Sequence, residues 1–274
     1  MSTPPRTILI TGSTSGLGRE LARQYATETG HLILHGRNPE KLRHMAAELA
    51  GNPAQISTVQ ANMAELAQVR QLADHVSTLT DSLTVLVNNA GIGQGRGDVR
   101  EESADGIELR LAVNHLAPFA LTLHLLPLLR AGAPARVVNV ASAAQTPVDF
   151  ADPQLRARYS GGRAYAQSKF AMIATGFHLA RLLSAAEVSV NSLHPATLMP
   201  TAMVAEGWGT TVDDLATGVA AVRNLIDLPA LGGVSGRYFN KQETADALPE
   251  AHDPDVQRHL WQLSEAWSGV DFPG

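Results

Sequence analysis

At 274 residues, 45 % of them hydrophobic and 17 % charged, the chain is too apolar to be disordered and long enough to bury a sizeable core. Its formal net charge of -5, with Lys and Arg scattered in ones and twos, leaves no basic stripe for a nucleic-acid backbone, so nucleic-acid partners are not expected. Cysteine is absent, which removes disulfide frameworks and thiolate metal sites and agrees with a reducing, cytoplasmic setting.

Met1 to Arg6 is short and polar and leads straight into the apolar run Thr7 to Thr11, the first expected strand, leaving no room for a secretory signal or membrane anchor. Thr11-Gly12-Ser13-Thr14-Ser15-Gly16-Leu17-Gly18 follows, where that strand turns into a helix near Leu17 to Thr29. Glycines here let the backbone turn sharply and approach a phosphate, and the amides of the helix N-terminus add partial positive charge. The spacing Gly-x-x-x-Gly-x-Gly differs from the commoner Gly-x-Gly-x-x-Gly, so the strand-turn-helix setting, not the glycines alone, separates a phosphate loop from a plain turn.

The second strand, His31 to His35, runs into Gly36-Arg37 and then a helix over Pro39 to Ala50. His31 and His35 have a metal-pair spacing only on a helix; on a strand without carboxylate or thiol partners they predict no metal site. Strands at Ile56 to Gln60 and Leu83 to Val87 flank a helix over Ala64 to Thr80, and Asn88-Asn89-Ala90-Gly91 closes the fourth strand. The apolar stretch Leu111 to Leu129 carries Asn114, His115, Pro118, His124 and Pro127, which suits a buried helix over Asp105 to Arg130 and not a membrane span. A fifth strand, Arg136 to Ala141, ends at Ser142, and Ala144 to Arg163 reads as a long loop broken by Pro147, Pro153, Gly161 and Gly162. A helix over Ala164 to Ala186, a strand over Val188 to Leu193, a helix over Val212 to Asp227 and a strand over Gly236 to Phe239 complete the alternation. Lys241 to Pro254 is polar and irregular, and Asp255 to Ser268 forms a closing helix with Trp261 and Trp267. The pattern predicts an α/β fold, a doubly wound, seven-stranded parallel sheet with helices on both faces, in a single domain over 1–274 whose last part, about 241–274, is an extension.

Tyr165 and Lys169, in Tyr165-Ala166-Gln167-Ser168-Lys169, fall on one helix face about a turn apart. A free tyrosine titrates near about 10 and a close cation favours its phenolate, so the pair can relay a proton; as an isolated motif, a surface Tyr and Lys pair is the commoner outcome.

The glycine stretch, Asn88-Asn89-Ala90-Gly91, Asn114, Ser142 and the Tyr165 and Lys169 pair occur together in the order found in the classical short-chain dehydrogenase/reductase family, which the chain resembles from about Thr7 to Phe239. The long spacer from Ser142 to Tyr165 and Ser235-Gly236-Arg237-Tyr238-Phe239 are similar to the retinol-dehydrogenase-like and WW-domain-oxidoreductase-like branch. The resemblance implies one Rossmann-type domain, a nicotinamide cofactor, a small-molecule carbonyl or alcohol substrate, and assembly as a homodimer or homotetramer through the helices at Asp105 to Arg130 and Ala164 to Ala186. It implies that Tyr165 is the general acid and base, that Lys169 lowers its pKa and holds the ribose, that Ser142 orients the carbonyl oxygen, and that Asn114 holds a water leading to Lys169. Cofactor contacts are implied for Gly12, Ser13, Ser15, Gly16, Leu17 and Gly18, for Arg37, for Asn62 and Met63, for Asn89, Ala90 and Gly91, for Tyr165 and Lys169, and for Thr197 and Leu198.

Asn62 stands where the family usually has Asp, and Pro195-Ala196 replaces Pro-Gly. The second strand ends without an Asp or Glu for the ribose hydroxyls of NAD(H), while Arg37 suits a 2′-phosphate, so NADP(H) is the expected cofactor. Substrate contacts are expected from about 144–163 and 197–212, with Val148, Phe150, Met199, Met203 and Trp208 giving a hydrophobic pocket. The alternatives are an epimerase or dehydratase of the extended branch, and an NADP(H)-binding sensor without turnover.

Overall fold

Aliphatic runs too apolar for one wet face set the centre of the molecule, because parallel strands are buried on both sides. The computed structural model describes residues 6–28 and 30–274; the expected domain start at Met1 to Pro5 and helix end at Thr29 lie outside them. Seven strands are parallel: β1 (Arg6–Ile10), β2 (Gly30–Gly36), β3 (Gln55–Gln60), β4 (Val85–Asn88), β5 (Ala135–Val140), β6 (Val188–His194) and β7 (Arg237–Asn240). An eighth, β8 (Glu243–Ala245), returns antiparallel on β7, giving the order β3-β2-β1-β4-β5-β6-β7-β8. The sheet therefore has eight strands where seven were expected. Its last hairpin turns on Lys241 and Gln242, with Lys241 at φ 56, a turn without the Gly or Asn that usually marks one.

Alternate residues of β1 serve opposite layers, as the two-residue period of a strand requires. Ile8 and Ile10 join Leu17 and Leu21 of α1 (Gly16–Ala26), Leu42 and Met45 of α2 (Pro39–Leu49) and Val222 of α9 (Leu215–Asp227). Leu9 faces Val69 and Leu72 of α3 (Leu66–Leu79), with Phe119, Leu179 and Trp261.

The helix expected over Asp105 to Arg130 is broken into α4 (Leu109–Leu111), a π-turn (Ala112–Leu116), α5 (Ala117–His124) and α6 (Leu126–Ala131). Pro118 and Pro127 sit in the first turns of α5 and α6, where a missing N–H is tolerated. Ala117 to Leu123 are all buried within the one chain, against α3 and α10 (Pro254–Ser268), so this apolar surface serves the monomer core. α7 (Gly161–Leu182) starts at Ser160, whose hydroxyl accepts from the Arg163 N–H, and α8 (Ala202–Gly207) lies within the expected substrate segment.

Candidate active site

Strand order reverses between β1 and β4, and a cleft of about 590 Å³ opens there at the carboxyl ends of the strands. Its floor is the loop from β1 to α1. Gly12 and Gly16 are left-handed at φ 68 and 53, and a Cβ on Gly12 would stand 2.9 Å from the Ala90 Cα. A Cβ on Gly18 would overlap the Asn89 amide nitrogen and the Gly12 carbonyl oxygen.

Asn89 holds this loop: its Nδ2 donates to the carbonyls of Thr11 at 2.8 Å and Gly12 at 3.2 Å. The Thr11 hydroxyl accepts the N–H groups of Asn89 and Ala90, each at 2.9 Å. His35 completes the frame. The Gly12 N–H donates to its Nδ1 at 3.2 Å, so its Nε2 carries the proton given to the Ala61 carbonyl at 3.1 Å. Burial pushes this imidazole down to about 4, which keeps it neutral.

Ser13, read as a cofactor contact, is turned inward: its N–H and hydroxyl both donate to the His35 carbonyl, at 2.9 and 3.1 Å. The carbonyl at the end of β2 draws it away, and Thr14 lines the cleft instead with Gly12, Ser15, Gly16, Leu17 and Gly18. Ser15 makes no side-chain cap, so the first turn of α1 keeps its amides on the cleft side without one.

At the other end, α7 brings Tyr165 and Lys169 to Ser142, which follows β5. The Tyr165 hydroxyl and Ser142 face the same cleft; burial raises the phenol above its ordinary 10, and the nearby Ser142 side chain partly offsets the rise. Lys169 donates to the Val140 carbonyl at 2.8 Å, its Nζ is 5.9 Å from the centre of the Tyr165 ring, and burial alone lowers it to about 8. The expected depression of the Tyr165 pKa by Lys169 is thus not what this arrangement produces, because desolvation dominates at both groups. Tyr238 fixes the Ser142 backbone by donating to its carbonyl at 3.0 Å. In the sequence Tyr238 is marked only by the branch motif Ser235-Gly236-Arg237-Tyr238-Phe239; its inward position is set by the β6–β7 pairing.

Asn114 lies in the π-turn behind the cleft and does not line it. Its Oδ1 accepts the Ile92 N–H at 2.8 Å, and its Nδ2 donates to the Ile92 carbonyl and the Ser168 hydroxyl, both at 3.0 Å. Gly91 fills the gap between Asn114 and Lys169: a Cβ there would be 3.1 Å from the Asn114 Oδ1 and 3.5 Å from the Lys169 Nζ. Pro118, four residues on, has no N–H to close on the Asn114 carbonyl.

Arg37 is exposed at the rim and makes no ion pair among the described residues. Asn62 and Met63 line the cleft. The Asn62 amide is engaged locally, its Oδ1 accepting the Ala64 N–H at 3.2 Å and its Nδ2 donating to Glu65 at 2.7 Å. After β6, Ala196 has an ordinary backbone, and the left-handed residue is Leu198, at φ 46.

Of the five apolar residues expected in the pocket, Met199, Met203 and Trp208 line the cleft. Trp208 meets the Tyr165 ring edge-on, 5.6 Å between centroids at 73°, and the Gln94 side chain donates to the Gly207 carbonyl. Val148 and Phe150 do not line it. Both pack into a cluster with Phe170 and Leu260, and Phe150 stacks on His259 at 4.1 Å, because α10 offers them a larger apolar surface. The rest of the loop is tied outward through Arg100 to the Gln154 carbonyl at 3.0 Å and Tyr159 to Glu108 at 3.0 Å. Among the described residues, no three His, Asp or Glu side chains gather to hold a metal, and no helix is long and apolar enough to cross a membrane.

Residues 6–210 match the model of the short chain dehydrogenase family. The chain is 31 % identical to retinol dehydrogenase 13 of Homo sapiens, over 98 % of this chain and 86 % of that protein. It is 35 % identical to polyprenol dehydrogenase of Mus musculus, over 94 % and 82 % of the two chains. A crystal structure of a Mycobacterium paratuberculosis protein superposes with a TM-score of 0.76 at 29 % identity, covering 98 % of this chain and 95 % of that one.

Proposed function

The chain belongs to the short chain dehydrogenase family, in its retinol-dehydrogenase-like branch, and on that premise we propose that it is an NADP(H)-dependent oxidoreductase that interconverts a carbonyl and an alcohol on a hydrophobic small molecule. The observation that carries this reading is one cleft shared by the glycine loop, Ser142, Tyr165 and Lys169. The residues present fit a dinucleotide. A side chain at Gly12 or Gly18 would strike Ala90 or Asn89 and displace the loop that floors the cleft, and the first turn of α1 offers amides to a pyrophosphate. Arg37, exposed and without an ion pair among the described residues, suits a 2′-phosphate.

When bound, the nicotinamide supplies or accepts a hydride at the carbonyl carbon. Tyr165 then gives its proton to the carbonyl oxygen in reduction and removes it in oxidation, and Ser142, beside Tyr165 in the cleft, orients that oxygen. Lys169, with one N–H on the Val140 carbonyl, has donors left for ribose hydroxyls. The Asn114 side chain sets the backbone beside Gly91, and its carbonyl, with no N–H at Pro118, is the acceptor for a water leading to Lys169. Met199, Met203 and Trp208 support an apolar substrate, as do relatives named for retinol and polyprenol. The same reading takes the chain as one catalytic domain, cytoplasmic by its lack of cysteine, working as two or four copies.

NADPH oxidation against a panel of apolar aldehydes and ketones tests it. The wild-type protein is expected to turn over at least one of them, and Tyr165→Phe to lose at least about 10²-fold in turnover with NADPH affinity unchanged. Binding without turnover across the panel would leave a sensor; near-normal turnover by Tyr165→Phe would remove the proton role.

A further inference from the structure

The wall of the cleft after β6 is held from outside by two residues far apart in the chain. Asp213 lies between α8 and α9, and Lys241 in the turn from β7 to β8. One oxygen, Asp213 Oδ2, accepts both the Thr197 N–H at 2.7 Å and the Lys241 ammonium at 2.9 Å. Backbone bonds close the same knot: Asp213 N–H to the Thr197 carbonyl at 2.9 Å, Val212 N–H to the Leu198 carbonyl at 3.1 Å, and Lys241 N–H to the His194 carbonyl at 2.7 Å. Thr197 and Leu198 line the cleft and follow β6, whose end pairs with the end of β5 (Val140 with Leu193, and the Ala141 N–H on the Leu193 carbonyl), so they lie on the Ser142 side of the cleft; Asp213 and Lys241 do not line it.

Leu198 and Lys241, at φ 46 and 56, are two of the three non-glycine residues with positive φ among those described, and both belong to this knot. Such conformations persist only where the surroundings over-determine them. The carboxylate and ammonium are 18 % and 42 % exposed, so their mutual attraction is modest. The hydrogen bond to the half-buried Thr197 amide is the stronger constraint, since a charged acceptor holds it and a partly buried donor left unmatched there is penalised.

We propose that Asp213, supported by Lys241, is a positioning residue for the nicotinamide end of the cleft: it sets the Thr197–Leu198 turn, and with it the seat of the nicotinamide, without touching the cofactor. The proposal rests on the reading of the cleft as an NADP(H) site.

Calorimetric titration of the purified full chain with NADPH and with 2′-phospho-ADP-ribose, which has the same adenosine end and no nicotinamide, separates the two. Asp213→Ala is expected to weaken NADPH by about tenfold while the affinity for 2′-phospho-ADP-ribose changes by less than about twofold. Asp213→Asn keeps an oxygen for the Thr197 N–H and should restore most of the NADPH affinity. Equal weakening of both ligands, no weakening, or an Asn variant as impaired as the Ala variant would overturn the proposal. Should Asp213→Ala fail to fold, Lys241→Met carries the test: the same split at about threefold supports the role and its absence refutes it. A wild-type protein that binds neither ligand would refute the cofactor reading itself, a result distinct from binding without the split.

Discussion

The two ends of the cleft are built by different means. At the glycine-loop end the wall is backbone, clasped by Asn89, Thr11 and His35, and Gly12 and Gly18 leave no room for a Cβ. At the reactive end the wall is side chains delivered by remote elements: Tyr165 and Lys169 from α7, Ser142 from the segment after β5, Trp208 from the segment after β6. A surface made of backbone is intolerant of a single carbon but indifferent to dielectric. One made of side chains tolerates exchange, and its chemistry is set by burial.

Gly18→Ala puts one carbon into the backbone-built wall, where the largest effect is expected. The added Cβ meets Asn89 and Gly12, so a loss of NADPH affinity above about 100-fold and a destabilisation of about 1–3 kcal/mol are expected, read by calorimetry and urea unfolding. Normal binding would mean that the loop end adapts as readily as the other.

At the rim a side chain does the recognising, and Arg37→Ala removes it. A rise of about tenfold in the NADPH dissociation constant, with that for NADH within about twofold, is the expected outcome. Equal losses for both cofactors would detach Arg37 from the 2′-phosphate.

The smallest effect concerns the reactive end and needs no ligand. Lys169 titrates near 8 in the fold against 10.5 for the free group, so between these values the unfolded chain binds more protons and stability rises with pH. Below pH 8 both states are protonated and the slope vanishes. Above about 10 the tyrosines raised by burial, Tyr165 and Tyr238 among them, reverse the trend, because they hold protons that the unfolded chain releases. A slope of up to about 1 kcal/mol per pH unit between pH 8 and 10 is expected in denaturant unfolding, and Lys169→Met should flatten it. An unchanged slope in that variant would place the titration elsewhere.

What could be read in advance follows local periodicity. Alternating apolar runs determine the parallel sheet and its two helical layers, the glycine spacing determines the turn from β1 to α1, and a spacing of four puts Tyr165 and Lys169 on one face of α7. Each depends on neighbours a few residues apart, whose geometry the backbone enforces. Tertiary structure alone decided the rest. Ser13 turns inward because a β2 carbonyl lies within reach, Phe150 leaves the cleft because α10 gives it a partner, and β8 forms through a turn with no sequence mark. Burial decided that Tyr165 is pushed up and Lys169 down, since a pKa depends on how much water remote segments exclude, and spacing along the chain carries no record of that.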